Sequence, residues 1–327
     1  MFDDSLLDDP LALSVRGAPI TKLALTGARL RSQDSTEMAS IVVRLASVTP
    51  RTIIVVGSEA RLIRAVVEPT GPVPTVAWTS PTLPAWTGPL DLVIILAGSN
   101  DRFLPTCREA LKRGSLLFMV APAHSPIIEE CPSVPTLTTQ EDDRFVGALL
   151  ALKILDLLNV GPSLNVDTIA NVLDEIAEKY GPRHGLEDNY AKNLACALAD
   201  AVPLVVGRSV LAARASRRVA EALREATGLP ALAADDEALR PLIESSHPRD
   251  LFADPFEDRS PHLDFCLLIL DDGKSELDED LVRIAQGHSV RVEKITYTHD
   301  NPVIRYAGLL HQGLFAAAYL GLATIKE

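Results

Sequence analysis

The sequence is poor in cysteine, and its four cysteines form no recognisable ligand pattern. Cys107, Cys131, Cys196 and Cys266 lie far apart and include no CxxC pair. This spacing excludes the usual zinc motifs. We therefore expect reduced and mostly buried thiols, as in cytosolic proteins.

Positive charge is also scarce. The chain has 31 Lys and Arg against 44 Asp and Glu, a formal net charge of −13, and a pI near 5.0. Such a surface repels nucleic acid and anionic membranes at long range, so we expect neither as a partner. An anionic ligand would therefore need a local cradle of donors, because the overall field opposes it.

Several segments and motifs that would define other classes of protein are missing. The sequence has no uninterrupted apolar run of about 18 residues, which predicts no transmembrane helix. The acidic start MFDDSLLDDP lacks a basic region, so we expect no signal peptide and a cytoplasmic location. There is no GxGxxG, GxxxxGK[ST] or GxSxG motif, which argues against a dinucleotide site, a P-loop and a serine hydrolase. No HxH or HExxH cluster is present, so neither a metal nor another cofactor is expected.

The sequence does contain one order of elements, β-α-β-β-α-β, used twice. The first half predicts strands at 52–56, 72–78, 90–96 and 116–120, with helices at 58–68 and 103–113. The second half predicts strands at 203–207, 230–234, 263–270 and 289–295, with helices at 208–227 and 277–286. Apolar strands that alternate with helices favour parallel sheets covered on both faces, hence an α/β fold.

These patterns divide the chain into four segments, which suit a length of 327 residues. We expect an N-terminal helical segment at 1–45 and a first parallel-sheet subdomain at 46–160. A helical connection follows at 161–201. The second parallel-sheet subdomain takes 202–327 and ends in a long buried helix from Pro302 to about Ala323.

Ligands of open parallel sheets bind outside the carboxyl ends of the strands. Here those ends carry Gly57-Ser58 and Gly98-Ser99-Asn100 in the first half. A Gly-Ser loop before a helix offers N–H groups and a hydroxyl to an anion. The alternative is that each serine only caps its helix.

This arrangement resembles the SIS (sugar isomerase) proteins, and more narrowly the bifunctional phosphoglucose/phosphomannose isomerases. The resemblance covers nearly the whole chain after about residue 40. It implies two flavodoxin-like SIS subdomains, a helical connection and a long C-terminal helix. It also implies a homodimer that binds a sugar phosphate and interconverts glucose 6-phosphate or mannose 6-phosphate with fructose 6-phosphate.

The resemblance assigns roles to eight residues. It implies phosphate and sugar binding by Gly57, Ser58, Ser99, Asn100 and Arg305. It also implies Glu221 as the base, His247 as the ring-opening group and Arg144 as the cation over the enediolate. The family's Ser-Gly-Asn-Thr loop reads Gly98-Ser99-Asn100-Asp101 here, and its His-Asn-Glu segment reads His247-Pro248-Arg249.

Each catalytic candidate also has an ordinary structural interpretation. Glu221 could pair on the helix surface with Arg217, Arg218 or Arg224. His247 could be a simple loop residue, and Arg144 could form a surface ion pair. Two other functions therefore stay open: a sensor or regulator that binds sugar phosphate without catalysis, and a structural partner in a sugar-nucleotide pathway.

Overall fold

The computed structural model describes residues 1–33, 35–100, 102–246, 264–274 and 279–325. Helices and parallel strands alternate through most of this part of the chain. The helices are α1 (Pro10–Arg16), α2 (Ala18–Ala24), α3 (Thr26–Arg31), α4 (Ser35–Leu45), α5 (Ala60–Val67), α6 (Leu104–Arg113), α7 (Pro126–Glu130), α8 (Arg144–Leu157), α9 (Val166–Tyr180), α10 (Tyr190–Leu198), α11 (Val210–Thr227), α12 (Asp236–Glu244), α13 (Glu279–Gly287) and α14 (Pro302–Ala323). The strands are β1 (Thr52–Gly57), β2 (Thr75–Trp78), β3 (Asp91–Leu96), β4 (Leu116–Pro122), β5 (Thr136–Thr139), β6 (Val202–Gly207), β7 (Leu232–Ala233), β8 (Phe265–Asp271) and β9 (Arg291–Thr296).

The first sheet has five parallel strands in the order β2-β1-β3-β4-β5. Its central strands are apolar on both faces because helices cover both sides, and every residue of β3 is buried. Ile54 pairs with Val93, and Val93 with Leu117, along one continuous row of core residues. Strand β5, a short strand of sequence TLTT at the sheet edge, was not predicted from the sequence.

The second sheet repeats this plan with four parallel strands in the order β7-β6-β8-β9. Val205 of β6 lies beside Leu268 of β8, and both are fully buried. Strand β7 has only two residues. The predicted α/β fold with two parallel-sheet halves is confirmed.

The chain separates into two compact units, each of which contains one sheet. The first-sheet unit is formed by residues 26–170, and the second-sheet unit by residues 1–25 and 171–327. The predicted long C-terminal helix is α14, in the second-sheet unit, which begins with Asn301 as its N-cap and Pro302 in its first turn. Because 18 of its 22 residues are buried, α14 is a core element rather than an amphipathic surface helix.

The cysteines agree with the expectation of buried thiols. Cys107, Cys131 and Cys266 are buried, Cys196 is partly exposed, and all four are free. Burial raises the pKa of Cys266 to about 12, so its thiol stays protonated and unreactive at neutral pH. None of the helices in the described ranges is long and apolar enough to cross a bilayer.

Candidate ligand-binding site

The loop after β1 turns sharply at Gly57. This residue has a φ of 129°, and a Cβ there would collide with the carbonyl oxygen of Leu96 in β3. Only glycine takes this backbone conformation without strain at such a close approach. Ser58 is exposed directly after the turn, whereas Glu59 before α5 is 1% exposed. Gly57 and Ser58 therefore stand at the carboxyl edge of the first sheet, as the sequence predicts.

The loop after β3 holds an internal carboxylate. Asp142 Oδ2 accepts a hydrogen bond from the backbone N–H of Ser99 at 3.0 Å and another from its hydroxyl at 2.9 Å. His124 Nε2 lies 2.9 Å from the same hydroxyl oxygen. Because a carboxylate only accepts, the single hydroxyl proton points to Asp142, and His124 must donate through Nε2–H. Both Ser99 donors that could hold an anion are thus already used by Asp142.

Asn100 also takes part in local bonding, because its side-chain oxygen accepts from the N–H of Arg102 at 3.2 Å. Sequence reasoning missed His124 and Asp142 as members of this loop. His124 follows the carboxyl end of β4, where ligand-contacting residues of parallel sheets collect. This position after a predicted strand could have identified His124 as a candidate from the sequence. The bond between Ser99 and Asp142 joins residues 43 apart, and no local pattern predicts it.

Arg144 is the first residue of α8 and is exposed. Its neighbour Asp143 caps this helix by accepting from the N–H groups of Phe145 and Val146. Asp143 also pairs with Arg29 at 2.6 Å. Among the residues that the structure describes, Arg144 has no ion-pair partner. Its guanidinium is therefore accessible to a ligand, although a cation is not favoured at a helix N-terminus.

The carboxyl edge of the second sheet carries a buried polar network centred on Asp272, which is 3% exposed. Its Oδ2 accepts from the hydroxyl of Ser209 at 2.7 Å and lies 3.6 Å from Arg305 Nε. Arg305 is itself 8% exposed and donates to the carbonyls of His299 and Asp300. This side chain, a predicted sugar-binding residue, is therefore largely committed to groups of the protein.

Asp271 precedes this network and pairs with Lys294 at 2.7 Å. Burial raises the pKa of its carboxyl, but the hydrogen bonds from Lys294 and the Gly273 N–H, with the Lys294 charge, outweigh that effect. The pKa of Asp271 is therefore held below its usual 3.8. Asp271 stays ionised at neutral pH and serves to fix the end of β8 against β9.

Glu221, the predicted base, lies well inside α11 rather than at its start. It is eleven residues after Val210, about 16 Å along the helix axis. Its carboxylate is 39% exposed and pairs with Arg218 three residues earlier. Arg144 belongs to the first-sheet unit and Glu221 to the second-sheet unit, so their meeting in one site stays a prediction. His247 lies outside the described residues.

A cleft of about 610 Å³, here called the arginine cleft, opens at the carboxyl end of β6. It is lined by residues of α11, α12 and the loops before them. Arg208 pairs in it with Asp236 at 3.2 Å. Arg217 and Arg240 line it without a hydrogen-bond or ion-pair partner among the described residues. Sequence reasoning missed this cleft because it placed no helix at 236–244.

The described part of the chain contains no group of three or more His, Cys, Asp or Glu side chains placed to hold a metal ion. Its charged groups at the sheet edges instead form ion pairs, caps and the arginine cleft.

Comparison with known proteins identifies one domain of the chain. Residues 187–325 match the family described as the bacterial phospho-glucose isomerase C-terminal SIS domain. The sequence matches none of the curated proteins with which it was compared.

Solved structures with similar folds cover almost the whole chain. A glucose-6-phosphate isomerase like protein from Thermus thermophilus is 18% identical, covers 97% of this chain and 92% of its own, and has a TM-score of 0.58. Tagatose-6-phosphate ketose/aldose isomerase from Escherichia coli is 12% identical, covers 95% and 94%, and has a TM-score of 0.65. The C-terminal domain of glucosamine-fructose-6-phosphate aminotransferase from Francisella tularensis is 11% identical, covers 94% and 96%, and has a TM-score of 0.62. At these identities the likeness concerns the fold, and with the family match it leads to one conclusion: the chain carries a SIS domain at residues 187–325 and resembles phosphoglucose isomerase.

Proposed function

We propose that this protein is a phosphosugar aldose–ketose isomerase that interconverts glucose 6-phosphate or mannose 6-phosphate with fructose 6-phosphate. The observation that carries the proposal is the match of residues 187–325 to the C-terminal SIS domain of bacterial phospho-glucose isomerase. Glu221, His247 and Arg305 all fall within these residues. The SIS fold of the whole chain supports the same class of reaction.

In the proposed reaction each residue has one task. His247 opens the sugar ring by moving a proton from the anomeric hydroxyl to the ring oxygen. Glu221 removes the proton from C2 of the open aldose and returns it to C1, while the hydroxyl proton passes from O2 to O1, which leaves the ketose. Arg144 stabilises the enediolate oxygen that is negatively charged between these steps. Because Glu221 is paired with Arg218, substrate must displace this ion pair before the carboxylate can act.

The phosphate and sugar contacts proposed from the resemblance are Gly57, Ser58, Ser99, Asn100 and Arg305. Gly57 and Ser58 support this role by their position at the sheet edge. The bonds of Ser99 to Asp142 and of Arg305 to Asp272 mean that these two residues must change partners to serve a ligand.

The test is an NMR or coupled assay that starts from fructose 6-phosphate and measures both aldose phosphates. Glu221→Gln keeps the size of the side chain and removes the base, so turnover should fall at least about 100-fold. Glu225→Gln, an exposed residue of the same helix, is the matched control and should retain full turnover. Equal turnover of Glu221→Gln and wild type would remove Glu221 from the mechanism.

A second candidate function is a sensor or regulator that binds sugar phosphate without catalysis. The observation that favours it is the Ser99 loop, which holds Asp142 where a catalytic SIS protein binds phosphate. A thermal shift with sugar phosphate, together with no turnover by the wild-type protein, would support the sensor over the isomerase.

We further propose a homodimer, because SIS proteins usually dimerise, and a cytoplasmic location, which the free and mostly buried thiols support. Light scattering coupled to size-exclusion chromatography should then give twice the chain mass of 35.2 kDa. A mass of one chain at micromolar concentration would contradict the dimer.

A further inference from the structure

The loop after β3 is poorly suited to bind an anion as it stands. Asp142 Oδ2 occupies both donors of Ser99, and its charge repels a second anion at the same place. It also lies 3.1 Å from the position of a Cβ on Gly98, so the carboxylate sits tightly over the loop. In a chain with a net charge of −13, an anion needs positive charge from elsewhere.

The arginine cleft has that charge. Arg217 comes from α11 and Arg240 from α12, so two different helices each place an arginine in the lining of one cleft of about 610 Å³. Neither guanidinium has a partner in the described ranges. Two arginines can hold one phosphate through several charge-assisted hydrogen bonds, which fix its position as well as its charge. A cleft of this volume is also within the range of small-molecule sites.

The acidic residues of the cleft are largely committed to other groups. Asp236 pairs with Arg208, and Asp235 caps α12 by accepting from the N–H of Ala238 at 3.0 Å. The negative charge of Asp235 is therefore compensated by the helix N-terminus. Glu237 is exposed and remains able to accept hydrogen bonds from hydroxyl groups. The uncommitted groups are thus two guanidinium groups and one carboxylate.

We infer that the arginine cleft binds the phosphate of a phosphorylated, hydroxyl-bearing ligand, with Arg217 and Arg240 on the phosphate and Glu237 on a hydroxyl. The inference rests on the proposed sugar phosphate ligand. It replaces the phosphate contacts proposed above at Gly57, Ser58, Ser99 and Asn100 by two arginines of the second-sheet unit. Arg217 stands four residues before Glu221 on α11, and residues at this spacing share a helix face. The cleft would therefore hold the phosphate on the helix face that carries the proposed base.

The experiment measures binding of inorganic phosphate and of glucose 6-phosphate to the full chain by isothermal titration calorimetry. Arg217→Gln and Arg240→Gln should each weaken both ligands about ten-fold, and the double variant about 100-fold, since a lost charge-assisted bond has this effect. Arg61→Gln is the matched control, because Arg61 is an exposed arginine of the first-sheet unit. Its affinity should stay within about two-fold of wild type, which separates a specific site from a change in net charge.

Three results would overturn the inference. One is a wild-type protein that binds neither phosphate nor glucose 6-phosphate. Another is unchanged affinity in the double arginine variant, above all if Ser99→Ala loses binding. The third is binding of succinate as tight as that of phosphate, which would make the ligand a dicarboxylate.

The same variants separate this inference from the proposed function. Arginine-dependent phosphate binding without any sugar isomerisation keeps the inference and rejects the isomerase. Isomerisation with an unchanged KM in the double arginine variant keeps the isomerase and rejects the inference.

Discussion

Replacement of Asp8 by alanine should destabilise the second-sheet unit more than replacement of its partner, Lys192, by methionine. Lys192 has no exposed side-chain surface, whereas Asp8 is 49% exposed. The Lys192 ammonium donates to Asp8 Oδ1 at 2.5 Å and to the carbonyl of His184 at 2.7 Å. It also lies 5.3 Å from the centre of the Tyr319 ring. The pair therefore joins a fully buried cation to a half-exposed anion.

The two substitutions differ because of this asymmetry. Asp8→Ala leaves a buried ammonium without its counter-ion, and loss of one partner of a buried pair costs about 3 kcal/mol or more. Because water reaches Asp8, we expect a smaller loss than this, about 2–3 kcal/mol. Lys192→Met removes the charge and keeps most of the apolar volume, so its cost should be about 1 kcal/mol or less. The double variant should be more stable than Asp8→Ala alone.

Urea denaturation followed by circular dichroism measures these free energies, with the slope of each transition checked for constancy. The order of the urea midpoints decides between the outcomes. A Lys192→Met protein that unfolds at lower urea than Asp8→Ala would show that the buried ammonium does not depend on Asp8. A double variant whose loss of stability equals the sum of the two single losses would show the same, since two residues in one ion pair should be coupled.

The remaining predictions concern pH and one glycine. Burial raises the pKa of Asp8, but the hydrogen bonds from Lys192 and the Leu186 N–H, with the Lys192 charge, lower it below 3.8. The stability that Asp8 adds is therefore present above pH 3.8 and lost as the pH falls below this value. In denaturation measured at a series of pH values, the free energies of unfolding of wild type and Asp8→Ala should become equal at low pH. Gly57→Ala should cost about 1–3 kcal/mol, because φ is 129° and a Cβ meets Leu96. Thermal unfolding measures this loss of stability. Gly88→Ala is the control, because a Cβ at Gly88 meets nothing within 4 Å, and its stability should stay within about 0.5 kcal/mol of wild type. Equal losses in the two variants would contradict the expected strain at Gly57.

Much of the fold was predictable because its signals are local. Apolar runs such as LDLVIIL and LDFCLLIL mark strands that are covered on both faces, and they became β3 and β8. The missed elements have weaker signals. Strand β5 reads TLTT and lies at a sheet edge, and α12 contains Pro241, which suggests a loop although Asp235 is a proper N-cap.

The candidate site was less predictable, because its decisive contacts join residues distant in sequence. The pairing of Glu221 with Arg218 follows from helix spacing and was among the alternatives the sequence offered. The bond of Asp142 to Ser99 spans 43 residues, and that of Ser209 to Asp272 spans 63. Only the folded sheet brings such groups together, so no local sequence pattern predicts these contacts.

The second-sheet unit is built from two separate segments of the chain, so its folding depends on the order of synthesis. Its first 25 residues are separated from the rest by the whole first-sheet unit. During synthesis, residues 26–170 can complete their sheet while the earliest segment still lacks the helices it packs on. That segment contacts α14, which follows every strand of both sheets. Completion of the second-sheet unit therefore requires α14, the last helix. In a ribosome-bound chain that ends before Pro302, we expect the first sheet to resist proteolysis and the second sheet to be cleaved.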